Sequence, residues 1–540
     1  MKNWAARHWR QIVQSTAPNL RRFLATRQPT VWLLAAALGI LIGYVAIGFH
    51  NLIGLVQMPW LGTNSQRVAQ AAAALPFYVV LLVPAGGGLV VGLFLTFIMP
   101  SRRVETVADV IEARALKGGK MNAAVGVGSA LVSAFSLGIG ASAGREGPVV
   151  HLGATIASWA AGTLKLPPRA TRTLLGCGVA AAIGASFNAP IAGVLFALEV
   201  ILGHYALAAF VPIVIAGVAA TVISRVHIGD YQAFTLPDYT IVSNLEFPAF
   251  ALLGVACAVV AIVFMSVTMK TDQMAGRINM PLWLRPTLGG LIIGAIAVFL
   301  PQVLGVGYGV TDAALQQQIP FYMLLALLGA KLAATAITIA SRFGGGIFSP
   351  SLYLGAMTGG AFGIVAAAVL PQYASGQGLY SLIGMGGVAA AVLGAPISTT
   401  LIIFELTGGF KVAVALMITV SISAGLTYAM LGRSFFHWQL ETRGVTLSGG
   451  PHRSILKSIR VADFMVHLND PSMPLQPDAP WLTPQDTLET ALQYFDERGT
   501  TQIAVVDADN TARTLGLIDK VTALDTFNQA LIDTQEEEHR

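Results

Sequence analysis

The sequence predicts an all-α polytopic membrane protein carrying a small soluble α/β tail. Two observations predict the membrane part and one predicts the tail. Of 540 residues, 55% are hydrophobic and 11% are charged, whereas an ordinary soluble domain carries about a quarter charged residues. The apolar residues fall in long runs, several of them divided by Gly or Pro, and backbone that stops being helical at membrane depth must line a wet cavity or be shielded by protein. Past about residue 455 the composition changes: from Asp463 onward there are fifteen acidic and four basic residues, which marks a soluble segment.

The chain opens with a basic segment, 1–29, holding Lys2, Arg7, Arg10, Arg21, Arg22 and Arg27 and no acidic residue. Its length ahead of the first apolar run, and the lack of a small-residue cleavage site, argue against a removable signal peptide. After the last apolar run come Arg433, Arg443, Arg453, Lys457 and Arg460 against Glu441 alone. Excess Lys and Arg beside membrane segments marks the cytoplasmic side. Both ends are therefore expected in the cytoplasm, with an even number of full crossings between them. This topology and anionic lipid account for the net charge of +5. No basic patch of the kind that nucleic acid requires is visible.

The membrane domain is expected over 30–440. Its apolar runs are Val31–Phe49, Ala71–Met99, 173–185, 190–203, 207–223, 248–267, 286–300, 321–340, 351–370, 378–406 and 411–431. Many are shorter than the roughly 20 residues an upright helix needs. The domain repeats internally, with halves of roughly 30–240 and 245–440. Pro148-Val-Val-His-Leu-Gly-Ala154 resembles Pro350-Ser-Leu-Tyr-Leu-Gly-Ala356, and Gly178-Val-Ala-Ala-Ala182 resembles Gly387-Val-Ala-Ala-Ala391. Ala189-Pro190-Ile191 then matches Ala395-Pro396-Ile397, and Glu199 matches Glu405 at the same 206-residue offset. A Pro and a Glu held at one offset argue for duplication more strongly than shared small residues. The pattern leaves open whether the halves are inverted.

A linker, 441–456, leads to a soluble unit over 457–540. An amphipathic run from Leu488 to Phe495 precedes a strand-like Thr501–Val506. A turn follows at Asp507-Ala-Asp509-Asn510, then a second strand, Leu515–Ile518, and a helix from Val521.

Three glycine-rich breaks are able to carry chemistry. The first is Gly138-Ile-Gly140-Ala-Ser142-Ala-Gly144-Arg145-Glu146-Gly147-Pro148, and its counterpart is Arg342-Phe-Gly344-Gly345-Gly346-Ile347-Phe348-Ser349-Pro350. The third is Gly184-Ala-Ser186-Phe187-Asn188-Ala189-Pro190. A proline suits the first turn of a helix, and a helix start offers unpaired N–H groups and partial positive charge to an anion. Close helix packing in lipid is the alternative reason for the glycines. Glu146 is an ionisable group at membrane depth, functional by default: deprotonated it would occupy the anion site, and protonated it would vacate it. The alternative is a carboxylate that only caps amides or pairs with Arg145. Arg145 itself reads as snorkelling or pairing with an acid. Glu199 and Glu405 end matching helices, which suggests a shared structural duty such as accepting backbone N–H bonds, with a place in the ion path as the alternative. His151 and Tyr353 read as core packing. Cys177 and Cys257 read as buried, inert thiols. No ligand spacing points to a metal, and nothing reads as an enzyme's catalytic residue set.

Gly144-Arg-Glu-Gly-Pro148, Phe187-Asn-Ala-Pro190 and Gly345-Gly-Ile-Phe-Ser-Pro350 resemble, in order and spacing, the signatures of the CLC family of chloride channels and proton–chloride antiporters. The resemblance covers about 30–440. It implies a homodimer with a separate pore in each subunit, each subunit holding two inverted repeats of tilted and re-entrant helices. It implies that Glu146 is the gating glutamate, that the amides of Ile347 and Phe348 hold the central anion, and that Gly144, Arg145, Glu146 and Gly147 frame the outer anion position.

The chain departs from the family pattern in three places. Where a Gly-Ser-Gly-Ile-Pro helix start is usual, it reads Val104-Glu105-Thr106-Val107-Ala108, so Glu105 or Thr106 stands where an anion-coordinating serine is expected. A charged Glu105 there would repel chloride, so it is expected to turn away, be protonated or sit out of register. Val200 follows Glu199 where antiporters of the family carry an inner proton-transfer acid, and Phe436 replaces a tyrosine whose hydroxyl would donate to the anion. These departures resemble a bacterial, ClcB-type branch and imply an inner-membrane location. Val200 favours passive or weakly coupled chloride conductance, with coupled chloride/proton antiport as the alternative. Nitrate is a possible second anion. A membrane sensor with the acidic tail as output is a third reading, of another class. The tail resembles one CBS repeat, Val461-Ala-Asp-Phe-Met465 being its opening. Such units pair, here across the dimer, and some hold an adenine nucleotide; no other cofactor is implied.

Overall fold

A computed structural model describes residues 28–65, 67–229, 234, 241–407, 412–447, 455–468, 480–508, 510 and 513–539. The basic segment up to residue 27, and 448–454 of the expected linker, lie outside them. Among the described residues, eight helices are long and apolar enough to cross a membrane.

The first half runs α1 (Gln28–Leu61), α2 (Val68–Ala73), α3 (Phe77–Phe97), α4 (Val107–Leu116), α5 (Ala123–Gly138), α6 (Glu146–Thr163), α7 (Pro168–Phe187), α8 (Pro190–Phe196) with a π-turn to Leu202, and α9 (Leu207–Ile228). The second runs α10 (Phe247–Arg277), α11 (Leu284–Phe299), α12 (Tyr308–Leu315), α13 (Phe321–Ala340), α14 (Phe348–Val369), α15 (Gln377–Leu393), α16 (Pro396–Thr407), α17 (Ala413–Leu431) and α18 (Phe435–Glu441). With 34 residues, α1 is about 51 Å long at 1.5 Å per residue. It therefore outspans the roughly 30 Å hydrocarbon layer, and it tilts or protrudes.

Two expected apolar runs prove to be pairs of helices. The run 71–99 breaks at Pro76, which precedes α3, because a proline donates no N–H and disfavours helix in the residue before it. The run 378–406 breaks at Gly394, which caps α15 in the left-handed region (φ +68°) before Pro396 opens α16. Conversely, α5 corresponds to none of the apolar runs. It is built from Gly, Ala and Ser, and its start is fixed by Asn122, whose side-chain oxygen accepts from the amides of Ala124 and Val125 at 3.0 and 3.2 Å.

The repeated motifs pack alike. Between α6 and α7, a Cβ on Gly153 would lie 2.5 Å from the Gly178 carbonyl, and one on Gly178 would lie 2.4 Å from the Gly153 carbonyl. Between α14 and α15, Gly355 and Gly384 oppose each other in the same way, at 2.3 and 2.5 Å. Gly153 and Gly355 hold equivalent places in the repeated motif. Backbone-to-backbone contact of this kind is how helices associate where lipid removes the hydrophobic drive. Here it holds α6 and α14, the two helices that start at the glycine-rich breaks.

The tail is a small mixed sheet with helices, order β1-β4-β3-β2, from β1 (Val466–His467), β2 (Trp481–Leu482), β3 (Gln502–Val506) and β4 (Thr514–Asp519). β3 and β4 pair antiparallel with Ile503 opposite Ile518, while β2 joins β3 in parallel. Helices α19 (Leu488–Arg498) and α20 (Lys520–His539) flank it. Val461, Leu488, Phe495, Val505 and Ile518 form its core. Of the helix–strand–turn–strand–helix unit expected from sequence, both helices and both strands are present, while Asp509 of the turn lies outside the described residues. Its two edge strands are two residues each, too short to show an alternating pattern.

Candidate anion site

The two glycine-rich breaks meet. Gly144 and Gly346 form an antiparallel bridge, each N–H donating to the other's carbonyl at 2.7 Å. The approach leaves no room for side chains: a Cβ on Gly345, whose φ is +150°, would lie 2.3 Å from the Ala143 Cβ. The bridge sets the starts of α6 and α14 side by side. Both helices carry proline as their third residue, Pro148 and Pro350, and neither start is capped by the side chain of its leading residue. Their first-turn dipoles therefore face a common space.

That space is a cavity of about 250 Å³, lined among others by Glu105, Thr106, Glu146, Gly147, Ile347, Phe348 and Phe436. Residues 104 to 107 at the head of α4, and Phe435 and Phe436 at the head of α18, close it from the other sides. Of the residues singled out from sequence, Gly144 and Arg145 sit behind this wall. Gly144 is spent on the bridge. The Arg145 guanidinium turns to His50 Nδ1 at 2.9 Å and the Ser186 carbonyl at 3.5 Å. Val200, a pore-lining candidate by sequence, does not reach this cavity. It lies on the π-turn after α8 and borders a different cleft, between the membrane domain and tail residues such as Arg460 and Asp533.

Glu146 is the first residue of α6 and is 1% exposed. The Tyr308 hydroxyl donates to its Oε1 and the Ser349 hydroxyl to its Oε2, both at 2.6 Å. Arg145 Nε stands 3.8 Å from Oε1, and the guanidinium lies 5.1 Å over the Tyr308 ring. A buried carboxylate thus receives two hydroxyl donors and a nearby cation, which is what desolvated charge requires. Neither hydroxyl is singled out by the sequence. Ser349 lies in plain view inside the second glycine motif. Tyr308 gives no signal, because it comes from α12 in a segment without apolar periodicity. Lys331, fully buried on α13, holds the turn before Tyr308: its Nζ donates to the carbonyls of Val303 and Gly305 at 3.0 and 2.8 Å.

The other end of the cavity lies where α18 leads toward the tail. Asp109 is gripped by Arg103 at 2.5 Å and Arg443 at 3.0 Å. Arg342 and Asp272 also line this end, joined at 3.7 Å, with Arg285 on Asp272 at 3.3 Å. Arg103, Arg443, Arg342 and Arg285 exceed Asp109, Asp272 and Glu105 at this end by one positive charge. The Thr106 hydroxyl is directed to Gln439 Oε1 at 3.0 Å. Glu105 neither leaves the cavity nor stands bare in it: its Oε2 meets His151 Nε2 at 3.1 Å. His151, which reads as core packing from sequence, is 1% exposed and is half of an acid–imidazole pair.

The third break serves another purpose. At the start of α8, the amides of Ile191 and Ala192 donate to Glu405 at 3.0 and 2.7 Å. At the start of α16, the amides of Ile397 and Ser398 donate to Glu199 at 3.1 and 2.8 Å. Each half thus caps a helix of the other. The candidate anion site at Pro190 is filled by a carboxylate, and the structural duty read for Glu199 and Glu405 is the one the geometry has. Among the described residues, no group of His, Cys, Asp and Glu is placed to hold a metal.

Residues 87–428 match the family model for the voltage gated chloride channel. A putative ClcB-like chloride channel protein of Ralstonia nicotianae is 32% identical over 389 residues, covering 71% of this chain and 90% of its own. The fold is that of solved CLC structures. A slow cyanobacterial Cl⁻/H⁺ antiporter superposes with a TM-score of 0.68 at 23% identity, over 76% of this chain and 97% of its own. A eukaryotic CLC transporter superposes with a TM-score of 0.65 at 16% identity, over 91% and 97%.

Proposed function

The chain belongs to the voltage gated chloride channel family, and from that premise we propose that it exchanges chloride for protons across the membrane, one pathway per subunit of a homodimer. The observation that carries this is Glu146, a carboxylate lodged at two uncapped helix starts and held by Tyr308 and Ser349. Hydroxyls arranged for a carboxylate at the head of two helices suit a chloride equally, since both are anions of one charge held by donors. Chloride enters this position when Glu146 leaves it, and protonation removes the charge that keeps it there.

Exchange replaces the passive conductance expected from Val200. A carboxylate this well held gives up its place by taking a proton, so ion passage and proton uptake share one residue. The passive reading keeps a single observation in its favour, the apolar Val200 where an acid would serve.

Several finer features belong to the same proposal. The two halves are inverted repeats, which the reciprocal capping by Glu199 and Glu405 supports. The chain works as a homodimer, as the family resemblance implies. The tail is a single CBS-like unit that pairs with its copy. Both termini face the cytoplasm of a bacterial inner membrane, as the flanking arginines direct.

Chloride efflux from liposomes across a pH series tests the role of Glu146. The Glu146→Gln protein is expected to pass chloride at every pH and to lose proton movement. A wild-type pH response persisting in that variant refutes the gating role.

A further inference from the structure

Glu105 lines the anion cavity, and His151, buried behind the cavity wall, is bonded to it; neither has a part in gating as described above. We propose that this pair is the inner proton site of the exchanger, taking protons from the tail side and passing them to Glu146. The inference rests on the exchange reading and supplies what Val200 leaves missing.

Three observations carry it. The first is position. Glu105 lines the same cavity as Glu146, and that cavity continues to Thr442 and Arg443 on the tail side. His151 sits five residues beyond Glu146 on α6, about 7.5 Å further along the helix axis. One or two waters bridge such a gap in a polar cavity. The second is exposure. The Glu105 side chain is 20% exposed and that of His151 1%, so the carboxylate meets cavity water while the imidazole is reached through it. The third is anchoring. The Glu105 amide donates to the Ser129 hydroxyl at 3.0 Å, and the Thr155 hydroxyl donates to the His151 carbonyl at 2.8 Å. These bonds fix the backbone at both members and leave the Oε2–Nε2 contact at 3.1 Å as the adjustable link.

The chemistry balances. With a neutral imidazole the pair carries one negative charge. A proton from tail-side water binds it and leaves a neutral pair, either carboxylate with imidazolium or carboxylic acid with imidazole. The proton then departs through water to the Glu146 carboxylate, which becomes neutral and gives up its bonds to Tyr308 and Ser349. The pair returns to its starting charge. A loaded pair tolerates chloride beside it and an unloaded pair repels it, so the two ions interact at this point. The other charges facing the pair are Arg103, Asp109 and Arg443 around the head of α4, Asp272 and Arg342 at the rim, and Glu146 at the far end. Arg103 and Arg443 are committed to Asp109, and Arg342 to Asp272, whereas the Glu105 carboxylate is bonded to His151.

The test uses the full chain in liposomes under a chloride gradient, with chloride and proton fluxes recorded together. The wild type is expected to drive protons against their gradient. In Glu105→Gln and in His151→Gln the number of protons moved per chloride is expected to fall at least about tenfold, a modest share of what a positioned proton-transfer group contributes. Glu105→Asp is expected to retain most of it. If Glu105→Gln abolishes all transport, His151→Gln decides by the same ratio. An unchanged ratio in His151→Gln overturns the proposal while leaving exchange through Glu146 intact. Absence of proton movement in the wild type overturns the exchange reading itself.

Discussion

Tyr308 is the residue whose loss separates holding the gate from being the gate. Its hydroxyl donates to the Glu146 carboxylate at 2.6 Å, and a hydrogen bond to a charged group is worth about 1.5–3 kcal/mol. Tyr308→Phe keeps the ring under the Arg145 guanidinium and removes only that donor. With about 1.4 kcal/mol corresponding to tenfold, chloride flux at neutral pH is expected to rise about tenfold or more in efflux assays, with proton dependence retained. Unchanged flux would show that Ser349 alone holds the carboxylate. At this scale the sequence is readable where a residue type is rare in its surroundings. A Glu between glycines at membrane depth stands out, as does a Glu in place of the expected serine. Tyr308 does not, because an aromatic in an apolar chain acquires its meaning only from the groups it is folded against, whereas Lys331, the one charge in the run 321–340, carries the same signal as Glu146. His151 escapes a sequence reading for the same reason as Tyr308: its partner lies 46 residues earlier in the chain.

Among the elements, the starts of α8 and α16 are tied by carboxylates from the opposite halves. Glu405→Ala removes the carboxylate that accepts from the amides of Ile191 and Ala192, and a hydrogen bond to a charged group is worth about 1.5–3 kcal/mol. The expected outcome is a lower melting temperature of the detergent-solubilised protein, and a loss of similar size in Glu199→Ala, since the geometry is matched across the repeat. A large effect in one variant and none in the other would break that equivalence. The 206-residue offset that links these glutamates is legible in the sequence itself, because Pro and Glu are conspicuous in an apolar chain. What the offset does not reveal is that each serves the other half. Two helix boundaries, at Pro76 and Pro396, are hidden inside the apolar runs 71–99 and 378–406, because hydrophobicity continues unbroken across prolines that stop the helix. Those of α5 are hidden too, where Gly, Ala and Ser give a packed helix without a strongly apolar stretch.

For the whole molecule, every residue that lines the anion cavity belongs to the membrane domain or the first turns beyond it, and the tail has a core of its own. A chain ending at residue 447 is therefore expected to keep the pH profile and the proton-to-chloride ratio of the full protein in liposomes. A changed ratio would mean that the cleft beside Val200, which the tail borders, takes part in transport. The division into membrane and soluble parts is the most legible feature, since composition changes abruptly near residue 455. The edges of the tail sheet are the least legible, because β1 and β2 exist only as partners of longer strands.

The mutual bridge between Gly144 and Gly346 constrains how this pathway opens. Two bonds at 2.7 Å, with no space for even a methyl group nearby, weld the breaks of the two halves into one rigid lintel. A machine jointed there would split along its seam. Under the proposed exchange the frame stays joined and one side chain moves, so the barrier to passage is the swing of a bolt and not the parting of the doorposts.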